Sequence, residues 1–122
     1  MREASAALAR HVTTLAIATA IAVLLLLPGA ERELPNWYEH ADKVYHVILF
    51  AALALPTALG APRNLCLLLP MALGLGVVLE FIQPSVGRTF SLTDMVADAA
   101  GLTLGSALGI TLRRRKRTSN PR

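Results

Sequence analysis

The chain has 122 residues, of which 54% are hydrophobic and only 16% charged. A soluble domain of this length seldom combines so much apolar with so little charged content, so composition favours a membrane protein. The net charge of +4 does not indicate nucleic-acid binding, because a large share of the basic residues form the run RRRKR at 113–117, directly after an apolar segment. We interpret that run as a cytoplasmic anchor. The single cysteine, Cys66, cannot form an internal disulfide and is predicted to be a small buried hydrophobic residue.

Four apolar segments are long enough to cross a bilayer as helices, which takes about 20 residues each. They span residues 12–29, 44–61, 65–83 and 92–112. Backbone groups in lipid must be satisfied within a segment, so each is predicted to be α-helical. The sequence therefore predicts a single all-α domain, a four-helix transmembrane bundle with short loops, followed by a basic tail over 113–122.

The first segment has an alternative interpretation as a secretory signal, since Arg10 precedes it and PGA ends it. However, its apolar stretch is long for a signal, and cleavage after Ala30 would place Pro28 where a small residue is expected. We expect a retained helix.

Basic residues predict the orientation through the positive-inside rule. With both termini in the cytoplasm, the inside carries Arg2, Arg10, Arg63, Arg113, Arg114, Arg115, Lys116, Arg117 and Arg122, and the outside only Arg32, Lys43 and Arg88. The chain is thus expected to be a multi-pass protein of the cytoplasmic (inner) membrane, in contact with the lipid bilayer. Trp37, Tyr38 and Tyr45 then lie near the outer interface, where aromatic rings are enriched.

Polar residues gather toward the outer ends of the last three helices. At about 1.5 Å per residue, His46, Glu80 and Asp98 all lie roughly 21 to 23 Å above the inner boundary. A second layer, Asp42, Gln83 and Asp94, lies one turn higher on the same helix faces, and Arg88 belongs to the loop above them. Three helices are therefore predicted to contribute to one polar layer.

Small residues predict that this layer faces the bundle. Asp94 and Asp98 share a helix face with a glycine stripe, and Glu80 and Gln83 share one with two small residues. The stripe is Gly101, Gly105 and Gly109, and the small residues are Ala72 and Gly76. G-x-x-x-G spacing is typical of close packing between membrane helices, and it also leaves self-association into a homo-oligomer open.

Structural roles compete with functional ones at several positions. Asp42 could cap the second helix, Ser91 and Asp94 match a capping box, and Lys43 could extend to the membrane surface. Glu80 and Asp98 resist this interpretation, because an intramembrane carboxyl costs at least about 2.5 kcal/mol and usually marks function. Their predicted partners are His46, Lys43 and Arg88, and a purely structural pairing stays open.

The stretches DKVYHVILF, EFIQPSVGR and SLTDMVADAAG, on successive helices, resemble the VanZ-like family of small bacterial membrane proteins. That family's pattern is D-K-x-x-H with a following aromatic residue, then E-x-x-Q, then R, then D-x-x-x-N-x-x-G. The resemblance covers roughly residues 37–112 and maps onto Asp42, Lys43, His46, Phe50, Glu80, Gln83, Arg88, Asp94 and Gly101. Asp98 departs from the pattern, because it stands where the family usually has asparagine.

The founding member of that family is associated with resistance to the glycopeptide teicoplanin. The resemblance thus implies a pocket facing outward that acts on or binds anionic lipid or lipid-linked cell-wall precursor headgroups, with an effect on susceptibility to such antibiotics. Resemblance to a family supports a prediction of its fold more strongly than a prediction of its function.

Other functions also fit the polar residues. An enzyme modifying a lipid headgroup would use His46, Glu80 and Asp98 as candidate catalytic groups. The candidate binding residues are Asp42, Lys43, Gln83, Arg88 and Asp94. A divalent ion on the three catalytic candidates has no recognisable spacing signature, so the need for a metal or other cofactor stays open. A small proton-coupled transporter ranks third, because the polar residues stop at one depth.

Overall fold

The computed structural model describes residues 1–27 and 41–120. Within these residues lie four α-helices: α1 (Arg2–Leu26), α2 (Ala41–Gly60), α3 (Leu65–Ile82) and α4 (Leu92–Ser119). Short 3₁₀ turns, Pro62–Asn64 and Gln83–Val86, precede and follow α3. Each of the four helical spans is long and apolar enough to cross a membrane. The predicted all-helical, multi-pass membrane protein is therefore confirmed.

The outer two helices are longer than predicted. Helix α1 begins at Arg2 rather than at residue 12, and α4 continues through the basic run to Ser119 rather than ending at 112. Alanine and arginine are good helix formers, so helix continues where the apolar signal stops. The predicted basic tail is thus largely a helical extension. Trp37, Tyr38, Arg32 and the last two residues of the first predicted segment lie outside the described residues.

The closest helix pair is α2 against α4, and glycines make their approach possible. A Cβ atom at Gly101 would collide with the Val47 carbonyl, and one at Gly105 would collide with the Ala51 carbonyl. The predicted close-packing role of the stripe is confirmed, and its partner is α2 of the same chain. This face of α4 is buried within the bundle, so self-association through it is not required to cover it.

Most of the interior of the bundle is apolar. Buried side chains from all four helices form one core: Ile21, Leu25, Phe50, Leu53, Ala54, Ala72, Leu79 and Leu102. Large apolar residues such as Leu67, Val78 and Leu104 point outward, as a lipid-facing surface requires. Cys66 is exposed rather than buried, so that prediction was wrong. The residue lies in the first turn of α3, and its thiol bonds to the Arg63 carbonyl instead of packing in the core.

The two ends of the bundle differ in charge. At one, called the basic end, Arg113 Nη1 donates to the carbonyls of Leu59 and Gly60, both at 2.8 Å, and Arg10 lies against Gly60. These contacts satisfy carbonyls at the C-terminus of α2, where a positive charge is favourable. A cavity of about 390 Å³ lies here, lined by Leu59, Arg113, Lys116, Arg117 and Asn120. The opposite end, called the polar end, contains the C-termini of α1 and α3 and the N-termini of α2 and α4.

Gly105→Ala should destabilise the bundle, because the added methyl group would collide with the backbone of α2 at Ala51. Overpacking of this kind costs about 1–3 kcal/mol. Gly74→Ala is the matched control, since nothing lies within 4 Å of a Cβ atom at that exposed position. Thermal unfolding in one detergent should show a lower Tm for Gly105→Ala and an unchanged or higher Tm for Gly74→Ala. Equal Tm values would contradict the packing described here.

Candidate functional site

The polar end contains a cluster of ionisable and amide side chains shared by three helices, here called the polar cluster. Its members are Asp42, Lys43, His46, Glu80, Gln83, Asp94 and Asp98. Five of them are 6% exposed or less, which are His46, Glu80, Gln83, Asp94 and Asp98. All seven are among the eight predicted site residues, and the structure buries the three that were predicted to be deepest.

The deepest contact joins α2 to α4. His46 Nδ1 lies 2.7 Å from Asp98 Oδ1, and both side chains are 2% exposed. An ionised carboxylate can only accept, so we assign the proton to Nδ1 and write this contact as Nδ1–H donating to Asp98. The predicted pairing of Asp98 with His46 is confirmed. The other ring nitrogen, Nε2, lies 3.6 Å from Asp94 Oδ2 and has no hydrogen-bond partner among the residues described.

A glycine on α3 makes room for this pair. A Cβ atom at Gly76 would lie 2.7 Å from Asp98 Oδ2, closer than real contacts allow. Gly76 is one turn from Glu80 on the buried face of α3. The absence of a side chain at this position therefore lets the carboxylate of α4 reach the centre of the bundle.

Glu80 makes the contact that a capping box would assign to Asp94. Ser91 Oγ accepts from the Asp94 backbone N–H at 3.3 Å, so Ser91 is the N-cap of α4 as the sequence predicts. In a capping box, the Asp94 carboxylate would in turn accept from the Ser91 N–H. Instead, that N–H donates to Glu80 Oε2 at 2.9 Å. The Asp94 carboxylate is thereby released from capping and faces Lys43 and His46.

The amide of Gln83 supports Glu80 from the next turn. In one amide orientation, Gln83 Nε2 donates to the Leu25 carbonyl at 3.3 Å, while its oxygen faces the Glu80 carboxylate. With the amide turned, the nitrogen donates to both Glu80 oxygens, at 3.0 and 3.1 Å. We assign the second orientation, because carboxylate oxygens accept and a carbonyl oxygen facing them would be repelled. Glu80 is thus held by two neighbours before any ligand binds.

Lys43 and Asp42 form the mouth of the cluster. Lys43 Nζ lies 3.2 Å from Asp42 Oδ2 and 3.4 Å from Asp94 Oδ1, and it links the surface to the buried acids. The Lys43 and Asp42 side chains are 31% and 44% exposed. Asp42 also lies in the first turn of α2, where the helix dipole favours an acid, so both roles predicted for it are compatible with its position.

Arg88, the eighth predicted site residue, lies beside the cluster, where its backbone N–H donates to the Gln83 carbonyl at 3.0 Å. Its Nη1 donates to the carbonyls of Leu24 and Leu25, at 3.3 and 2.8 Å, so that it caps the end of α1. The chain reaches this position through Gly87, whose φ of 84° is a left-handed conformation that favours glycine. Arg88 thereby ties the loop after α3 to the end of α1.

The sequence analysis did not predict two residues that shape the site. Ser91 contributes its backbone N–H to Glu80, and Gly76, which has no side chain, leaves room for Asp98. The position of Gly76 one turn from Glu80 was visible, but its contact depends on how α4 approaches. The three residues whose ligand atoms could hold a metal ion also differ from the His46, Glu80 and Asp98 set named from the sequence. One atom each from His46, Glu80 and Asp94 lies within 4.8 Å of the others, so Asp94 takes the place given to Asp98.

No family model, curated protein or solved structure matches the chain. The likeness to the VanZ-like family therefore stays a prediction from the three motif stretches.

Removing His46 should destabilise the bundle more than neutralising Asp98. His46→Leu leaves the buried Asp98 carboxylate without its donor, and breaking a buried pair in this way costs roughly 3–5 kcal/mol. Asp98→Asn keeps an oxygen that accepts from Nδ1–H, so we expect a loss below about 1.5 kcal/mol. Unfolding in detergent micelles measures both losses.

The double variant His46→Leu, Asp98→Leu is the control for this prediction. It removes both polar groups and should be more stable than His46→Leu alone. A double variant less stable than either single variant would mean that the two side chains do not act as a buried pair.

Proposed function

We propose that the chain is a VanZ-like protein of a bacterial cytoplasmic membrane, with both termini in the cytoplasm and the polar cluster open toward the outer face. Two observations support this proposal. Most of the polar motif residues that carry the resemblance lie together in the polar cluster, whose inner members are buried. In addition, Arg10, Arg113, Lys116 and Arg117 share the basic end, which the positive-inside rule assigns to the cytoplasm.

The cluster binds the polar headgroup of an envelope lipid or of a lipid-linked cell-wall precursor. The observation that carries this function is the position of a buried acidic cluster behind a partly exposed Lys43, at the polar end of the bundle. Lys43 supplies a positive charge for a headgroup phosphate. The carboxylates behind it accept hydrogen bonds from hydroxyl or ammonium groups. A protein that holds such a precursor would alter susceptibility to glycopeptides of the teicoplanin type.

A second candidate function is enzymatic modification of the headgroup. The observation that favours it is the pairing of His46 with Asp98, which leaves Nε2 free to take up or release a proton. Transport ranks below both functions. Among the described residues, the only buried polar side chains outside the cluster are Thr57 and Ser106, and neither ionises near neutral pH. They therefore form no proton relay toward the basic end.

The orientation predicts which positions react with a reagent that cannot cross membranes. In a Cys66→Ser background, Ser85→Cys in the turn after α3 should be labelled by an impermeant maleimide in intact spheroplasts. Ser119→Cys at the end of α4 should be labelled only after permeabilisation. Both positions are exposed, so accessibility depends on the side of the membrane. The reverse labelling pattern would overturn the orientation.

Headgroup binding predicts that a specific lipid copurifies with the protein. Mass spectrometry of lipids extracted from the purified wild-type chain should show a headgroup class that falls at least about tenfold in Glu80→Gln and His46→Ala, since each removes a buried polar contact. His11→Ala is the control, because His11 is an exposed histidine on α1 away from the cluster. A lipid profile that is identical in all four proteins would reject headgroup binding.

Envelope lipids from cells with and without the protein separate the two candidate functions. A new or missing headgroup indicates an enzyme, whereas an unchanged profile together with a copurifying lipid indicates a binding protein. Expression should also change teicoplanin susceptibility, and Glu80→Gln and His46→Ala should abolish that change while membrane insertion persists.

A further inference from the structure

We infer that the polar cluster is a binding site for one divalent transition-metal ion. Its ligands are His46 Nε2, one carboxylate oxygen of Glu80 and one of Asp94. The inference rests on the geometry of the cluster and holds whether or not a lipid headgroup binds there.

The three ligands lie close enough to share an ion. One ligand atom from each lies within 4.8 Å of the other two, and Nε2 lies 3.6 Å from Asp94 Oδ2. Around a tetrahedral ion with bonds of about 2.0–2.2 Å, neighbouring ligands are separated by about 3.3–3.6 Å. The His46 to Asp94 separation already meets this requirement. The Glu80 ligand atom lies within 4.8 Å of both others, so only a small shift of its carboxylate is needed to complete the set.

His46 is oriented as a metal ligand. Nδ1–H donates to Asp98, so the lone pair of the neutral ring is on Nε2, which points toward Asp94. Nε2 is buried and has no hydrogen-bond partner in residues 1–27 and 41–120, which is costly unless something binds it. A carboxylate behind a histidine is the usual support for imidazole on a metal, because it sets the tautomer and increases the basicity of the ring. Asp98 is thus a positioning residue for His46.

Each carboxylate ligand is supported in a comparable way. Glu80 Oε2 accepts from the Ser91 N–H, and Gln83 lies against both Glu80 oxygens. Asp94 Oδ1 contacts Lys43, which leaves Oδ2 on the side of His46. Each of the three ligands, on three different helices, therefore has a neighbouring group that holds its side chain near the site before an ion arrives.

Charge balance also points to a cation. Glu80, Asp94 and Asp98 are buried, and Lys43 at the mouth contacts Asp94. Several carboxyl groups inside an apolar bundle repel one another unless protons or a bound cation compensate. Because one ligand is imidazole, the site favours Zn²⁺ or Fe²⁺ over Mg²⁺ or Ca²⁺, which prefer all-oxygen sites. Three protein ligands leave a coordination position for water or a phosphate oxygen.

Zn²⁺ titration of the full chain tests the site. The protein is purified in detergent without a polyhistidine tag, in the Cys66→Ser background, stripped with EDTA, and titrated in competition with a chromogenic zinc chelator. We expect one Zn²⁺ per chain. His46→Ala and Asp94→Asn should weaken binding at least about tenfold, because a change in a ligand costs no less than loss of the group that supports it. His11→Ala, the exposed-histidine control, should bind as the wild type does.

Two further measurements keep the test decisive if a variant fails to fold. Co²⁺ added to the wild-type protein should give the visible absorption bands of a low-coordinate site. Addition of Zn²⁺ should displace the Co²⁺ and remove these bands. Asp98→Asn should keep one site per chain with affinity reduced about 10–100-fold, because it retains the hydrogen bond but loses the charge behind His46.

Absence of stoichiometric Zn²⁺ binding by the wild type would overturn the inference. Equal affinity in His46→Ala and His11→Ala, or a preference for Mg²⁺ over Zn²⁺, would also overturn it, because both exclude imidazole as a ligand. Lipid copurification from the same samples separates this inference from the proposed function. A protein that binds Zn²⁺ without a specific lipid retains the metal site and loses only the headgroup proposal.

Discussion

The burial of three carboxyl groups in an apolar bundle is the constraint on which the polar end depends. Glu80, Asp94 and Asp98 cannot be accommodated by hydrocarbon, so each requires a neighbour that donates a hydrogen bond or carries a positive charge. The neighbours come from elsewhere in the chain. His46 of α2 serves Asp98 of α4, Lys43 serves Asp94, and the N-terminus of α4 serves Glu80 of α3. The polar contacts therefore specify which helices are neighbours and how they are aligned along the bundle axis. Van der Waals packing alone specifies this less strongly.

Close packing and polar contact depend on each other at the boundary of α2 and α4. The carbonyls of Val47 and Ala51 occupy the space that side chains at Gly101 and Gly105 would fill. This approach brings the backbones near enough for the short side chain of Asp98, one turn from Gly101, to reach His46 at 2.7 Å. Gly76 on α3 provides the remaining space behind that carboxylate. A larger residue at any of these glycines would thus disturb the site as well as the packing.

Much of this architecture could be predicted from the sequence, because hydropathy and helical periodicity are local signals. They predicted four spans, the inward direction of Asp94 and Asp98, and the shared level of His46, Glu80 and Asp98. The ends of the helices were harder to predict, because α1 and α4 continue into polar sequence that a hydropathy pattern does not recognise as helix. The exposure of Cys66 was also missed, because an apolar run does not reveal which face is buried in a bundle.

The individual contacts of the site were harder to predict, because they depend on the relative positions of helices. The sequence motif Ser91-x-x-Asp94 predicts a reciprocal cap, yet Glu80 of another helix takes the Ser91 N–H. Arg88 is predicted to be a partner of the acids, and its Nη1 donates to the Leu25 carbonyl at the end of α1. In both cases the structure shows a nonlocal partner that the sequence does not predict.

The charge of Asp98 affects both the packing of the bundle and the chemistry of His46. Asparagine, which the VanZ-like pattern has at this position, would present the same acceptor to His46 Nδ1–H but no charge. Aspartate adds a third buried carboxylate to Glu80 and Asp94, and its second oxygen, Oδ2, is buried without a hydrogen-bond donor among the described residues. A structural hydrogen bond would be made at lower cost by the amide. The extra charge is useful where His46 must become a stronger base or a stronger ligand, since a negative neighbour increases the basicity of imidazole. An aspartate rather than an asparagine at position 98 therefore favours a role for His46 Nε2 at the centre of the cluster over a purely structural role in joining α2 to α4.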